Sequence, residues 1–412
     1  MAMESRDKVL FIDEVKYLFR VLLKEGDELR LVGGCVRDYL AGSRGKICDY
    51  DFATSYRPEQ LIRILDSNNI RHIDRDIEFG TVVAMVGDRK FEITSLRKDI
   101  ATDGRHAVVE FNDDYREDAK RRDFTFNALY CDGSGKIYDY FSGVLDLKKV
   151  IIRFIGDPEE RILEDHLRIL RFFRFYSSHC FFLDYRSLLA CRKHGEKTRK
   201  LSQERITKEL CKILESSYPP KTLKIMEFHG ILQSVLGYSG ELDLSNLEIF
   251  FSLEKYVDFS HNYLFILILL LSKNKIDLNL ALRRREKIYI SSILDNVPKN
   301  ISHGEIKKLL FLLEDVKKVR DIVMVYLCNC YSPDTLRYLD LVAKIEIPRL
   351  AVEGKTLEDY GFTRKKEYSR LLAMAKNIFI ESEFTMDRKT LMEELKNRWP
   401  IHPQEITERS AD

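Results

Sequence analysis

The sequence predicts an α/β head, residues 1 to about 150, followed by a remainder built of helices. Three observations lead there. Short apolar, β-prone runs such as Leu29 to Val32, Thr81 to Val86 and Phe91 to Leu96 alternate with helical periodicity through the head. Two consecutive glycines, Gly33 and Gly34, separate a strand from a helix. After Gly143 the apolar spacing is helical almost without interruption, which puts a domain boundary at residues 143–153.

Taken in order, a first amphipathic helix covers about Lys8 to Lys24, with Val9, Leu10, Ile12, Val15, Leu18 and Phe19 among its apolar positions. The strand Leu29–Val32 enters the glycine turn, and the helix beyond it stops near Gly42. Glycine lets a backbone approach a ligand closely, and N–H groups at a helix start accept an anion such as a triphosphate. Asp49 and Asp51 follow in a strand-like run, where alternation points both carboxylates the same way. Adjacent carboxylates repel unless cations sit between them, and hard oxygens with phosphates suit Mg²⁺. Gly-Gly is usually only a turn, and Asp-x-Asp is frequent by chance. The order of glycine turn, Arg37 and carboxylate pair favours a nucleoside triphosphate held over a metal-binding pair.

Pro58 opens a helix through Ile64, proline being favoured in a first turn. The strands Thr81–Val86 and Phe91–Leu96 form a hairpin at Gly87-Asp88. Glu92, in the second strand, either joins Asp49 and Asp51 at the metals or is an edge-strand charge. Asp103, Gly104 and Arg105 read as a mobile loop, with a solvated turn as the alternative. In Asp118 to Leu129, read as helical, Arg122 and Asp123 are neighbours and Asn127 lies one turn on. Arginine clamps phosphate oxygens, and Asp and Asn hold ribose hydroxyls; a solvated charged face is the bland alternative. Tyr130 to Tyr140 is a hairpin around Gly133-Ser134-Gly135.

Beyond the boundary, Asp157 caps a helix with Pro158 at its first position and Glu160 closing a capping box. That helix is expected to run on through Arg171, so that Asp165 and Arg168 share a face, either as a surface ion pair or as a pair that reads a base. Ser202 caps a further helix. Basic clusters at Arg283-Arg284-Arg285 and Arg364-Lys365-Lys366 are places for phosphate contacts along RNA.

Gly-Gly-x-Val-Arg-Asp at Gly33 to Asp38, followed by Asp49-x-Asp51, resembles the class II tRNA nucleotidyltransferases, which include CCA-adding enzymes and bacterial poly(A) polymerases. Glu92 to Arg97, Arg121-Arg122-Asp123-Phe124-Thr125-x-Asn127-Ala128, Glu164-Asp165-x-x-Arg168-x-x-Arg171 and Ser202 to Leu210 are similar to further motifs of that family, and Asp103-Gly104-Arg105 is similar to its flexible segment. His166 stands where members often carry proline. The likeness spans nearly the whole chain, with its specificity in residues 31–210.

The resemblance implies a nucleotidyltransferase-type α/β head (1–150), a helical neck with the nucleotide-recognition motif (151–218), a helical body (219–300) and a tRNA-binding helical tail (301–412). It implies that Asp49 and Asp51, joined by Glu92, are catalytic with Mg²⁺. Gly33, Gly34, Arg37, Arg122, Asp123, Asn127, Asp165, Arg168 and Arg171 would bind CTP and ATP during CCA addition to tRNA. Partial CC or A addition, poly(A) synthesis and an inactive RNA-binding protein are the rivals. Ile77 to Val82 looks like the CCA type, and Asp49, Asp51, Arg37 and Arg122 argue against inactivity. No His…His-Asp motif points to phosphohydrolase activity.

Lys+Arg number 68 against 66 Asp+Glu, so any basic surface must come from segregation of charge. The eight cysteines lack zinc spacing, and no signal peptide is read, which predicts free thiols in a reducing cytoplasm. Leu264 to Leu271 is too short to span a bilayer and reads as a core helix; no membrane and no protein partner are expected.

Overall fold

The computed structural model describes residues 9–23, 28–42, 47, 49–102, 107–179, 182–257, 259–276, 279–330 and 336–399. It divides into two compact units, Met1–Leu242 with Lys275–Leu282, and Asp243–Asn274 with Arg283–Asp412.

The first unit opens with α1 (Asp13–Leu22), β1 (Leu29–Val32), α2 (Gly34–Leu40), β2 (Tyr50–Thr54), α3 (Pro58–Ser67), β3 (Arg71–Asp76), β4 (Thr81–Val86) and β5 (Arg89–Ser95). A ribbon, β6 (Arg97–Thr102) and β7 (Ala107–Phe111), precedes α4 (Tyr115–Lys120), β8 (Leu129–Cys131) and β9 (Ile137–Asp139). Seven strands form one mixed sheet in the order β3-β4-β5-β2-β1-β8-β9, in which β2 and β5 are the parallel pair. Alternation along the strands builds a core on each face. Leu31, Phe52 and Ile93 pack against Leu18 and Phe19 of α1 and Leu61 and Leu65 of α3. Val32, Ala53 and Tyr130 face Tyr115 and Ala119 of α4. Each such large apolar side chain contributes about 1.5–3 kcal/mol on burial. The helix expected from about Lys8 is interrupted: Val9 and Leu10 are helical, and the chain breaks at Phe11 and Ile12 before α1. Ile12 is extended, and Asp13 and Glu14 supply the acidic first turn that a helix start favours.

After the sheet come α5 (Gly143–Lys149), β10 (Ile151–Ile152), α6 (Pro158–Glu164), α7 (Leu167–His179), β11 (Phe182–Leu183), α8 (Tyr185–His194), α9 (Gln203–Leu214), α10 (Pro219–Phe228) and α11 (Ile231–Leu236). Among the described residues this remainder is helical except for the two-residue strands β10 and β11, which pair in parallel. Asp157 caps α6 through the N–H groups of Glu159 and Glu160. Ser202 occupies the N-cap of α9 without a side-chain bond. In the strap 275–282, the Ala281 N–H donates to Thr207 Oγ1 of α9 at 2.9 Å, and Leu280 and Leu282 are buried.

The second unit contains helices α12 (Ser245–Leu253), α13 (Tyr263–Lys273), α14 (Arg284–Leu294), α15 (His303–Leu313), α16 (Val316–Cys330), α17 (Arg337–Lys344), α18 (Gly354–Asp359), α19 (Tyr368–Glu381) and α20 (Arg388–Arg398). Phe265 to Leu270 of α13 are buried, as expected of a core helix. Leu357, Leu371, Ile378, Leu391 and Leu395 form the core of its C-terminal part. Among the described residues no helix is long and apolar enough to cross a membrane.

Candidate active site

Strand register brings the first site residues together. Val32 pairs with Asp51 across β1 and β2, and Asp51 pairs with Glu92 across β2 and β5. The glycine turn therefore leaves β1 beside both carboxylates. Gly33 has φ +76°, a backbone that side chains resist, and its N–H donates to Leu129 O at 3.2 Å. A Cβ there would stand 3.5 Å from Arg122 Nη1, an ordinary contact, so it is the backbone angle that calls for glycine. Gly34 begins α2, whose Arg37 reaches Asn127 Oδ1 at 2.8 Å and Asp38 Oδ1 at 2.8 Å.

Asp49 sits just before β2 and is exposed, while Asp51 lies in the strand, partly buried. Burial, then the Glu92 and Asp49 carboxylates, push the Asp51 carboxyl up to about 6 against the pull of Arg122. This is the electrostatics of carboxylates that a cation would relieve. No three His, Cys, Asp or Glu side chains form a metal-binding group among the described residues. Mg²⁺ commonly takes one or two carboxylates and completes its shell with water and substrate phosphates. The donor set, hard oxygens of Asp51 with Asp49 and Glu92 nearby, fits such an ion.

The second motif is not one helix. α4 ends at Lys120 and the chain turns before a 3-10 segment at Thr125–Asn127. The turn lets neighbouring side chains diverge. Asp118, 1 % exposed, accepts from Arg121 Nε and Nη2 at 2.9 and 2.7 Å through Oδ1. Its Oδ2 accepts from Arg122 Nε and Nη2 at 3.3 and 3.2 Å and from the Tyr130 hydroxyl at 2.7 Å. Burial works against the Asp118 charge, but Arg121 and Arg122 outweigh it and hold the carboxyl down to about 2. Asp123 points the other way. Its Oδ2 receives Arg171 Nε and Nη2 at 2.7 and 2.6 Å, and its Oδ1 receives Asn127 Nδ2 at 3.0 Å and the Phe124 N–H at 2.8 Å. A continuous chain of bonds thus runs from Arg37 through Asn127 and Asp123 to Arg171.

The helix expected to run through Asp165 is broken there. Asp165 is extended, φ −151° and ψ 108°, and its Oδ1 accepts the Leu167 N–H at 3.0 Å, capping α7. The side chains of Asp165 and Arg168 are not paired with each other, although the Arg168 N–H donates to the Asp165 carbonyl at 3.1 Å. Asp165 Oδ2 accepts from Arg205 Nη2 of α9 at 2.8 Å. Arg168 is held by Glu164 Oε2 at 2.7 Å and by the carbonyls of Arg161 and Arg121 at 3.0 and 2.8 Å.

These residues surround a single cavity of about 390 Å³. Gly33, Gly34, Arg37, Arg122, Asp123, Asn127, Asp165, Arg168 and Arg171 all line it, with Asp51 at its wall. Five arginines face three aspartates in that lining, which favours an anionic occupant. A larger cavity, about 640 Å³, lies between α1 and the β8–β9 hairpin. It is lined by residues such as Phe11, Phe19 and Tyr138 and contains none of the predicted site residues. Asp103, Gly104 and Arg105 lie outside the described residues. Sequence reasoning missed Asp118, Arg174, Phe175 and Arg205 as parts of the site. For Asp118 a signal existed: Arg121 and Arg122 follow it at i+3 and i+4.

The profile of the family "Poly A polymerase head domain" matches residues 29–153, and that of "Probable RNA and SrmB- binding site of polymerase A" matches residues 180–238. The chain is 32% identical to the mouse "CCA tRNA nucleotidyltransferase 1, mitochondrial" over 94% of its own length and 91% of the relative's. The human protein of the same name gives the same three figures. The CCA-adding enzyme of Streptococcus gordonii is 38% identical over 57% of each chain. In fold, the chain is similar to the crystal structure of the Bacillus stearothermophilus CCA-adding enzyme in complex with CTP, with a TM-score of 0.72, 24% identity and coverage of 93% of this chain and 98% of that one.

Proposed function

Because the chain belongs to the CCA tRNA nucleotidyltransferase family, we propose that it adds CCA to the 3′ end of tRNA, using CTP and ATP and releasing pyrophosphate. One observation carries the assignment of residues: every residue expected from sequence to touch the nucleotide lines one cavity beside Asp51. The RNA 3′-hydroxyl attacks the α-phosphate of the nucleotide, and no covalent enzyme intermediate is required. Positioning and charge neutralisation supply the acceleration.

In this reading Asp49 and Asp51, joined by Glu92, hold Mg²⁺. Held there, such an ion would supply Lewis-acid activation of the hydroxyl and neutralise charge on the leaving pyrophosphate. The Gly33–Gly34 turn and Arg37, Arg122 and Arg171 bind the triphosphate. Asn127 and Asp123, bonded to Arg37 and Arg171, orient those guanidinium groups and fix the ribose. Asp165 and Arg168 read the base. C and A both present an amino donor beside a ring-nitrogen acceptor, which a carboxylate and a guanidinium complement; U and G present the reverse. Arg168 has five N–H donors, enough to keep its protein contacts and meet a base edge. The helical neck, body and tail, 151–218, 219–300 and 301–412, are assigned to nucleotide selection and tRNA binding. A cytoplasmic setting completes the reading, supported by six free thiols among the described residues.

The test is to sequence product ends after incubating tRNA transcripts lacking CCA with CTP alone, ATP alone, or both. CC from CTP alone and CCA from both are expected. Products stopping at CC with both nucleotides would replace this reading with CC addition, and long A tracts with poly(A) synthesis. Binding without extension would make the chain an inactive RNA-binding protein.

A further inference from the structure

The cavity of about 640 Å³ between α1 and the β8–β9 hairpin shares no lining residue with the nucleotide cavity. Its volume falls within the roughly 300–1,000 Å³ of small-molecule sites. Much of its wall is apolar: Phe11, Phe19, Leu23, Leu29 and the Tyr138 ring. The Phe11 and Phe19 rings stand 6.2 Å apart, tilted by 39°. The hairpin turn backs onto Phe19 without a side chain, since a Cβ on Gly133 would meet Phe19 Cδ1 at 3.2 Å.

The charged side chains of this lining are not equivalent. Asp132 is spent on its own hairpin: it accepts from the Ser134 N–H and hydroxyl at 2.8 and 2.6 Å, the Lys136 N–H at 3.1 Å and the Tyr138 hydroxyl at 2.9 Å. Glu28 is spent on Arg30, whose guanidinium is itself enclosed by the Tyr115 and Tyr138 rings at 3.8 and 3.6 Å. Two cations are left. Lys16 has an exposed pair with Asp13 at 3.6 Å, and Arg20 has no ion pair among the described residues. They stand four residues apart on α1, where like charges repel. An anion seated between them relieves that repulsion, and the aromatic wall takes the apolar body that the anion carries.

We propose that this cavity is a second binding site, for a small organic anion: Lys16 and Arg20 hold its carboxylate, and Phe11, Phe19 and Leu23 cover an acyl or aryl body. The site does not depend on the nucleotidyl-transfer reading, since none of its residues belongs to the nucleotide cavity.

The full-length protein would be titrated with the fluorescent anion anilinonaphthalene sulfonate and then competed with decanoate, decanol, CTP and tRNA. Decanoate should displace the dye, and decanol, which lacks the charge, should do so roughly tenfold less well. CTP should leave the decanoate-sensitive signal unchanged. Lys16→Glu combined with Arg20→Glu should weaken decanoate by roughly tenfold, while Lys16→Arg with Arg20→Lys binds as the wild type does. Arg20→Gln replaces the double reversal if the latter does not fold, with a smaller loss in the same direction. Leu23, 42% exposed at the rim, offers a second check: Leu23→Trp fills the cavity and should abolish decanoate binding with CTP affinity retained. No decanoate-sensitive dye binding, equal competition by decanol, or a decanoate affinity unmoved by charge reversal in a folded variant would overturn the proposal. Retained binding in Leu23→Trp would do the same by placing the anion elsewhere. Displacement by tRNA but not by decanoate would assign the cavity to RNA instead.

Discussion

Asp118 does not line the cavity, yet Arg121, Arg122 and Tyr130 all bond to its carboxylate. Its folded-state pKa, about 2, lies below the ordinary 3.8. The unfolded chain therefore binds more protons between those values, so the carboxylate stabilises the fold above pH 3.8 and loses that contribution as pH falls toward 2. Asp118→Asn should cost about 2 kcal/mol at neutral pH. The gap between its urea midpoint and that of the wild type should close between pH 4 and 2; a constant gap would mean that the charge is not what stabilises. The same variant should raise the nucleotide KM, because Arg122 loses its anchor. Asp51→Ala should abolish incorporation while leaving tRNA affinity nearly intact, and measurable turnover would remove it from the metal site. At the base-reading end, Asp165→Ala should erode discrimination against UTP and GTP, each mismatched group costing roughly 1–3 kcal/mol. Arg205→Ala should erode it less, since it frees the carboxylate to swing without removing it. Competition between CTP and UTP reads both effects.

The junction between α6 and α7 matters as much as the side chains it presents. An uninterrupted helix through Asp165 would have used its backbone N–H and C=O in the ladder and stacked Asp165 against Arg168. Instead the extended Asp165 caps Leu167 and turns its other oxygen to Arg205. An extended residue is also what proline requires before it. Among the described residues no bond from the His166 N–H is present, and the His166 side chain has one hydrogen bond, Nδ1 to Ile162 O at 2.8 Å. His166→Pro should therefore keep the junction, with activity retained and stability changed by less than about 1 kcal/mol. A collapse of the thermal melt would show that the histidine contact holds the two helices. The β1–α2 turn is constrained differently: Gly33 is needed for its positive φ.

The division into two units sets a limit on how the chain can be cut. The strap 275–282 belongs to the first unit although it follows α13 in sequence. A chain ending at Leu242 loses the Thr207 contact and the buried Leu280 and Leu282. It should still bind CTP, since the whole cavity lies before residue 176, but melt lower and lose most of its tRNA affinity. Calorimetry with CTP and filter binding with tRNA separate the two; unimpaired tRNA binding would relocate the RNA contacts to the head and neck. The basic clusters farther on are partly neutralised within the fold, Arg283 by Glu286 at 2.8 Å and Arg364 by Glu367 at 3.5 Å. RNA affinity there depends on the cations left over.

Local rules were enough for β1, β2, β4, β5 and the β8–β9 hairpin, the Gly87-Asp88 turn, the glycine turn and the helical remainder, because each depends on side-chain periodicity or on a backbone angle that only certain residues accept; they did not mark β3 or the β6–β7 ribbon. They were also enough to nominate the nine nucleotide-site residues by resemblance. Local rules could not show that Asp51 and Glu92 would be register partners across a parallel pair, since the strands between which they pair are separated by α3, β3 and β4. Nor could they foresee the break at Asp165, whose carboxylate caps Leu167 and meets Arg205 from forty residues away. The same holds for Asp118, Arg174 and Arg205. Each carries a charge that is unremarkable in a sequence with 68 basic and 66 acidic residues. Burial beside particular partners makes these charges significant, because desolvation and pairing energies exist only once the chain has closed around them.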